Sequence, residues 1–189
     1  MISIDTARIR APSGPFGASR RILGGMITAA GLIVAGSALA QGDAATTTVD
    51  FTNLQGESIG TAKLTGTRAG LLIGLDLRGL PPGWHGFHVH ETGECDAEGG
   101  FKSAGGHYAV SDTEHGFLSE HGPHSGDMPN QYVGEDGTLR AQVLDTYVFL
   151  GGDTGNASGK ALIIHAGADD YESQPSGDAG DRLACGVIE

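Results

Sequence analysis

Beyond residue 41 no helical periodicity runs through this chain. Its apolar side chains fall instead in short alternating or β-branched runs separated by glycine-rich turns. A period of two places successive side chains on opposite faces of an extended strand. Thr46–Phe51, Ser58–Thr65, Leu71–Leu77, Gly86–Glu91, Ala161–His165 and Leu183–Ile188 fit that period, and Thr138–Leu150 fits it as a run broken into two. Gly134–Gly137 and Gly151–Gly155 have the composition of tight turns. About eight strands with no helix-length segment between them predict an all-β fold, an antiparallel barrel or sandwich. Thr92–Tyr132 and Ala166–Arg182 break the rhythm: they are long, polar and glycine-rich. Structureless segments of such length in a compact domain are usually functional.

The first 40 residues are set apart by composition. Arg8, Arg10, Arg20 and Arg21 precede an apolar run, Ile22–Ala40, that ends in Ala38-Leu39-Ala40. A basic leader, an apolar segment and a small-x-small ending predict a secretory signal peptide cleaved before Gln41. Residues 41–189 then form one domain, periplasmic or secreted. That domain carries seven basic and twenty-two acidic side chains, a formal charge of −15. Such a surface argues against nucleic acid and anionic membranes as partners of the mature form. Cys95 and Cys185 are the only cysteines, and export makes one disulfide the expected pairing.

Eight histidines stand at 85, 88, 90, 107, 115, 121, 124 and 165. His88 and His90 lie two residues apart, so a strand would direct both imidazoles to one face. His165 closes the apolar run Ala161–Ile164 and is expected at a barrel rim. His107 follows Ser103-Ala-Gly-Gly, and His115, His124 and Asp127 follow in turn. His88, His90, His107, His115, His124, Asp127 and His165 are seven side chains, too many for one four-coordinate ion. Two such ions need eight bonds, which seven residues supply if one imidazole uses both nitrogens. His107, between the His88/His90 pair and the downstream set, is the natural bridge. Three histidines and an aspartate suit zinc, and an all-imidazole set suits a redox-capable copper ion. A histidine-rich surface that binds metal adventitiously is the competing reading.

GWHGFHVHE (83–91), SAGGH (103–107), the spacing of His115 and His124-Ser-Gly-Asp127, ALIIHAGADD (161–170) and GDAGDRLACGVI (177–188) resemble, in order, the signature segments of copper/zinc superoxide dismutases. HGFLSEHGPHSGDMPN (115–130) and DDYESQPSGDAGD (169–181) are similar to the periplasmic bacterial branch. The resemblance implies an eight-stranded Greek-key barrel with two long functional loops. The implied activity is conversion of two superoxide radicals to dioxygen and hydrogen peroxide at a copper ion. It puts copper on His88, His90, His107 and His165, and zinc on His107, His115, His124 and Asp127. Arg182 matches the arginine that holds the anion, and Asp169 the carboxylate that links ligands of the two metals. Cys95 and Cys185 match the family disulfide. Arg182 and His107 are thus the expected catalytic side chains. A homodimer is among the states that family members adopt. His85 matches a structural position, and His121 has no ligand role in the pattern. Lys102, five residues before His107, is the one lysine in a loop of the expected site and the candidate to steer an anionic substrate.

Overall fold

Burial follows the alternation of the strands. In β1 (Thr46–Asn53) Val49 and Phe51 are buried and the flanking Thr48 and Asp50 are exposed. β2 (Ser58–Thr67) repeats this with Ala62 and Leu64 against Thr61 and Lys63, and β3 (Gly70–Leu77) buries Leu71, Ile73, Leu75 and Leu77. The remaining strands are β4 (Gly83–His90), β5 (Asp127–Val133), β6 (Leu139–Asp145), β7 (Lys160–His165) and β8 (Arg182–Ile188). This is a computed structural model, and it describes residues 44–189. The expected secretory leader, residues 1–40, lies outside the described residues. Among the described residues no helix is long and apolar enough to cross a membrane.

All strand pairings are antiparallel, in the order β5-β4-β7-β8-β1-β2-β3-β6. The two edge strands, β5 and β6, are consecutive and joined by the tight turn 134–138, where Gly134 N–H donates to the Thr138 carbonyl. The sheet therefore curls until its edges meet, giving a nearly closed Greek-key barrel. Its interior holds Phe51, Leu64, Ile73, Leu77, Phe87, Leu162 and Ile164, all fully buried. Each such side chain contributes roughly 1.5–3 kcal/mol relative to an exposed one.

Two expectations need correction. The first long loop ends at residue 126, because residues 127–133 form β5, paired with β4 from His88↔Asp127 to Gly83↔Val133. The run 138–150 supplies one strand, not two. Past Asp145 its carboxylate Oδ1 accepts from the backbone N–H groups of Tyr147 and Val148, which turns the chain out of the ladder.

The pleat of β4 and β7 positions the site. Phe87, Val89, Leu162 and Ile164 point into the barrel. The intervening His88, His90, Ala161 and Ile163 therefore point outward, beneath the long loops. There Ala161 and Ile163 pack with Phe101, Ala104 and Cys185 in a second apolar cluster. Cys95 of the first loop is bonded to Cys185 of β8, with Cα atoms 5.7 Å apart. The first loop is thus sealed to the outer face of the sheet by its own phenylalanine and by a covalent tether.

Candidate metal centre

β4 and β7 bring His88, His90 and His165 together on that outer face, and an isolated bridge between His90 and His107 lays the first loop beside them. One nitrogen from each of His88, His90, His107 and His165 lies within 4.8 Å of the others. A second group, His107, His115, His124 and Asp127, meets the same criterion, and His107 belongs to both.

The outward nitrogens are anchored. Asp169, in the second loop, accepts from His88 Nε2 at 2.7 Å and from His115 Nε2 at 3.0 Å. His90 Nδ1 donates to the Gly105 carbonyl (3.0 Å) and His165 Nδ1 to the Gly180 carbonyl (3.2 Å). These bonds set each tautomer and turn the remaining nitrogen inward as a lone-pair donor. His90 Nε2 and His165 Nε2 then face each other at 3.3 Å. Two lone pairs so placed repel unless a cation lies between them. His88 Nδ1, His107 Nε2, His115 Nδ1 and His124 Nδ1 are buried with no hydrogen-bond partner. Burying such groups unpaired is costly; they divide between the two groups, and a metal ion in each is the partner that suits them.

Asp127 organises the second group. Its Oδ2 accepts the backbone N–H groups of Gly116 and His124, each at 2.9 Å. Its Oδ1 faces His107 Nδ1 at 2.8 Å, His115 Nδ1 at 3.0 Å and His124 Nδ1 at 3.5 Å. A tetrahedral zinc ion with bonds of about 2.0–2.1 Å spaces its ligands by about 3.3–3.4 Å, so this donor set fits the ion.

The electrostatics divide the site. Burial pushes His107 down to about 4 and His165 to about 3, and holds His90 well below the ordinary imidazole value. Burial also lowers His88, against the pull of Asp169. Neutral imidazoles are what metal binding requires. His115 behaves oppositely. Burial opposes its charging, but the carboxylates of Asp127 and Asp169 beside its two ring nitrogens raise it to about 9. Although burial disfavours their charge, Asp127 and Asp169 are held well below the ordinary carboxylate range by their histidine partners.

A cleft of about 350 Å³ opens over the first group, lined by His90, His107, His165, Pro175, Ser176 and Arg182 among others. Arg182, half-buried at the start of β8, donates to the carbonyls of Phe101 and Gly105, both at 2.6 Å. Phe101 adopts a left-handed conformation, φ 58°, at a cost of roughly 1–2 kcal/mol. Its fully buried ring offsets that cost, and its carbonyl is aimed at the arginine. Lys102 is exposed on a 3-10 turn, Lys102–Ala104, between those two carbonyls. His85 is buried, its ring nitrogens 2.7 and 2.8 Å from the carbonyls of His165 and Pro81. His121 is exposed and belongs to no ligand group among the described residues.

Sequence reasoning missed several supports. The Asn130 side chain on β5 accepts from Asp169 N–H and donates to the Asp169 carbonyl, both at 2.8 Å. The Gln174 side chain makes the same double contact with His115. Gly177, at φ +68°, leaves room for Asp169 and His115, which a Cβ there would overlap. The run Asp127–Asn130 was visible as a motif, but nothing local marks Gln174.

Fold and site together define a class: an antiparallel β-barrel protein with a paired, histidine-rich metal centre under two long loops. Comparison with known proteins narrows it. Residues 58–188 match the copper/zinc superoxide dismutase family. A copper–zinc superoxide dismutase of Aquifex aeolicus is 48% identical over 144 residues, 74% of this chain and 84% of its own. One from Caulobacter vibrioides is 41% identical over 140 residues, 71% and 80% respectively. Among solved structures, a SOD-like protein from Bacillus subtilis superposes with a TM-score of 0.73 at 36% identity, covering 77% of this chain and 100% of that one. The Cu/Zn superoxide dismutase from Brucella abortus gives 0.65 at 32% identity, with 77% and 100% covered. The chain belongs to the copper/zinc superoxide dismutase family. Its activity is that of the family, superoxide dismutation, and its cofactors are copper and zinc.

Proposed function

We propose that His88, His90, His107 and His165 hold the copper, that His107, His115, His124 and Asp127 hold the zinc, and that His107 is shared through its two ring nitrogens. The observation that carries this reading is the convergence of buried, partnerless imidazole nitrogens on two adjacent points. Copper, when bound, supplies the alternate one-electron acceptance and donation that dismutation needs, and zinc braces the shared imidazole.

The protein's own groups do the rest. Arg182 holds the superoxide anion in the cleft. Two of a guanidinium's five N–H donors are committed to Phe101 and Gly105, which fixes the group and leaves three for the anion. His107 Nε2, buried at the junction of the two groups, is the atom placed to hold and pass one of the two protons that peroxide formation consumes. Asp169 keeps the lone pairs of His88 and His115 turned inward. A metal carrier on the same barrel would have no use for a guanidinium clamped at the cleft, so Arg182 favours the enzyme.

The same reading takes residues 1–40 as a cleaved secretory leader and residues 41–189 as the exported domain, periplasmic or secreted. The disulfide supports that compartment. Within a domain of formal charge −15, Lys102 and Arg182 form the local positive funnel, with Lys102 acting at longer range. A homodimer belongs to the same reading and is tested by sedimentation of the mature domain.

The test of function is superoxide dismutation measured beside metal content. Protein loaded with both metals should be active, and protein loaded with zinc alone should not. Two bound metals without turnover would refute the assignment.

A further inference from the structure

The segment carrying His115 lies alongside residues 171–174 of the second loop, and the two are stitched by a small set of bonds. Gln174 Oε1 accepts from the His115 N–H at 3.0 Å, and Gln174 Nε2 donates to the His115 carbonyl at 2.8 Å. The backbone dictates which end of the amide is which, because an N–H must meet the oxygen and a carbonyl must meet the NH₂. The second Nε2 hydrogen goes to the Glu172 carbonyl at 3.0 Å. Three residues further along each segment, Leu118 N–H donates to the Tyr171 carbonyl at 3.0 Å. Gly116, between them, has φ +100°, and a Cβ there would overlap that same carbonyl. The close approach is therefore built into both segments. Immediately after Gln174, Pro175 and Ser176 line the cleft that also holds His165 and Arg182.

We infer that Gln174 is a positioning residue that couples the two long loops. Its amide fixes the backbone of His115, and by the same two bonds it holds the second loop down as the wall of the anion cleft. Among the described residues nothing else hydrogen-bonds to the backbone N–H and carbonyl of His115, so the orientation of that imidazole depends on this latch as well as on Asp127 and Asp169. Coupling of this kind is reciprocal: zinc at His115 steadies the loop, and the loop slows the departure of zinc. The inference rests on His115 being a zinc ligand.

The experiment uses the protein loaded with copper and zinc and follows transfer of zinc to a competing chelator, with copper content recorded alongside. Gln174→Ala removes both bonds to His115 and should speed zinc release roughly threefold to tenfold, the range expected for one or two part-buried hydrogen bonds, with copper retained. Gln174→Glu keeps an acceptor for the His115 N–H but sets a carboxylate oxygen against the His115 carbonyl, so it should release zinc at least as fast as Gln174→Ala. Ser173→Ala loses only a bond within the second loop, from Ser173 Oγ to Asp170 Oδ2 (2.6 Å), and should match the parent. Hydrogen exchange provides the readout that mere destabilisation would not move. Removing zinc should raise exchange of residues 171–176 in the parent and leave it unchanged in Gln174→Ala, where the link is already broken. If Gln174→Ala releases zinc at the parent rate while His115→Ala no longer holds it, the latch is wrong and the zinc assignment stands. If His115→Ala retains zinc as the parent does, the zinc assignment itself fails. Equal acceleration by Ser173→Ala would reduce the effect to general loosening and overturn the latch.

Discussion

His90 and His165 stand on neighbouring strands and rest their outer nitrogens on backbone carbonyls, whereas His115 and His124 stand on a loop and depend on carboxylates and side-chain amides. The strand half of the centre is positioned by the same ladder that builds the barrel: His165 is registered against Arg182, and His88 against both Ile163 and Asp127. Its geometry is therefore nearly complete once the sheet has formed. The loop half has no ladder. Asp127 gathers it from one side, Asp169 from the other, and Gln174 pins its backbone. The contrast reaches the electrostatics, where burial keeps the strand-half imidazoles uncharged while two carboxylates draw a proton onto His115. Support and charge are thus divided: a neutral cage set by the sheet, and one in the loop set by carboxylates and a side-chain amide.

The largest expected effect comes where the halves meet. His107→Ala should lose both metals on dialysis and reduce activity by more than the roughly 10- to 100-fold typical of changes to supporting residues, while His165→Ala should lose copper chiefly. Metal analysis decides it, and loss of copper alone from the His107 variant would remove the shared role.

Next in size is the carboxylate that spans the divide. Asp169→Asn should weaken zinc binding by roughly 10- to 100-fold and copper binding far less, because His90 and His165 keep their carbonyl anchors. Competition titrations with chelators measure both affinities. An equal loss of the two metals would abolish the distinction between the halves.

The third effect is pH dependence in the metal-free protein. His107 and His165 have folded values of about 4 and about 3, and His88 and His90 are also lowered. As pH falls below about 6.5 the unfolded chain takes up these protons first, so stability is lost by about 1.4 kcal/mol per pH unit for each histidine still neutral in the fold. His115, raised to about 9, acts in the opposite direction. Its contribution is full below about 6.5 and disappears as pH rises through 9. Urea unfolding across this range should show losses on both sides, the acid one steeper. His115→Gln should flatten only the alkaline side, and an unchanged alkaline limb would contradict the raised value.

The smallest effect is at long range. Lys102→Glu should lower the second-order rate by roughly two- to threefold at low ionic strength and leave metal content unchanged, with the deficit vanishing as salt shortens the screening length to about 8–10 Å. Arg182→Ile should lose activity at every ionic strength, since its contact with the anion is short. A salt-independent deficit in the lysine variant would exclude steering.

The all-β architecture and the two ligand groups were legible because period-two burial and histidine spacing are local signals. β5 was not, since Asp127-Met-Pro-Asn mixes a candidate metal-binding carboxylate with turn residues, and only pairing with β4 makes it a strand. The spurious strand after Asp145 has the converse cause: Thr146–Leu150 has strand composition, and one side chain cap diverts it. Least visible were the contacts that make the site rigid. The carbonyls of Phe101, Gly105 and Gly180 carry no residue signature, and Gln174 meets His115 across 59 positions. Such partners are chosen by the course of the backbone, which a sequence does not spell out locally.

Arg182 and Cys185 lie three residues apart on β8, so one strand brings both the proposed anion-holding group and the covalent tether. On the proposed export from its N-terminus, the chain emerges with Cys95 long before Cys185, at a separation of 90 residues. Late in that interval, after residue 165 has emerged and before residue 182 follows, every candidate metal-binding histidine is already outside. Such an unfinished chain could collect copper, but it would lack the guanidinium proposed to hold superoxide and the bond that locks the loop. Docking of β8 supplies both in one event, so a redox-active centre becomes selective for its substrate at the same moment that its cover is fastened.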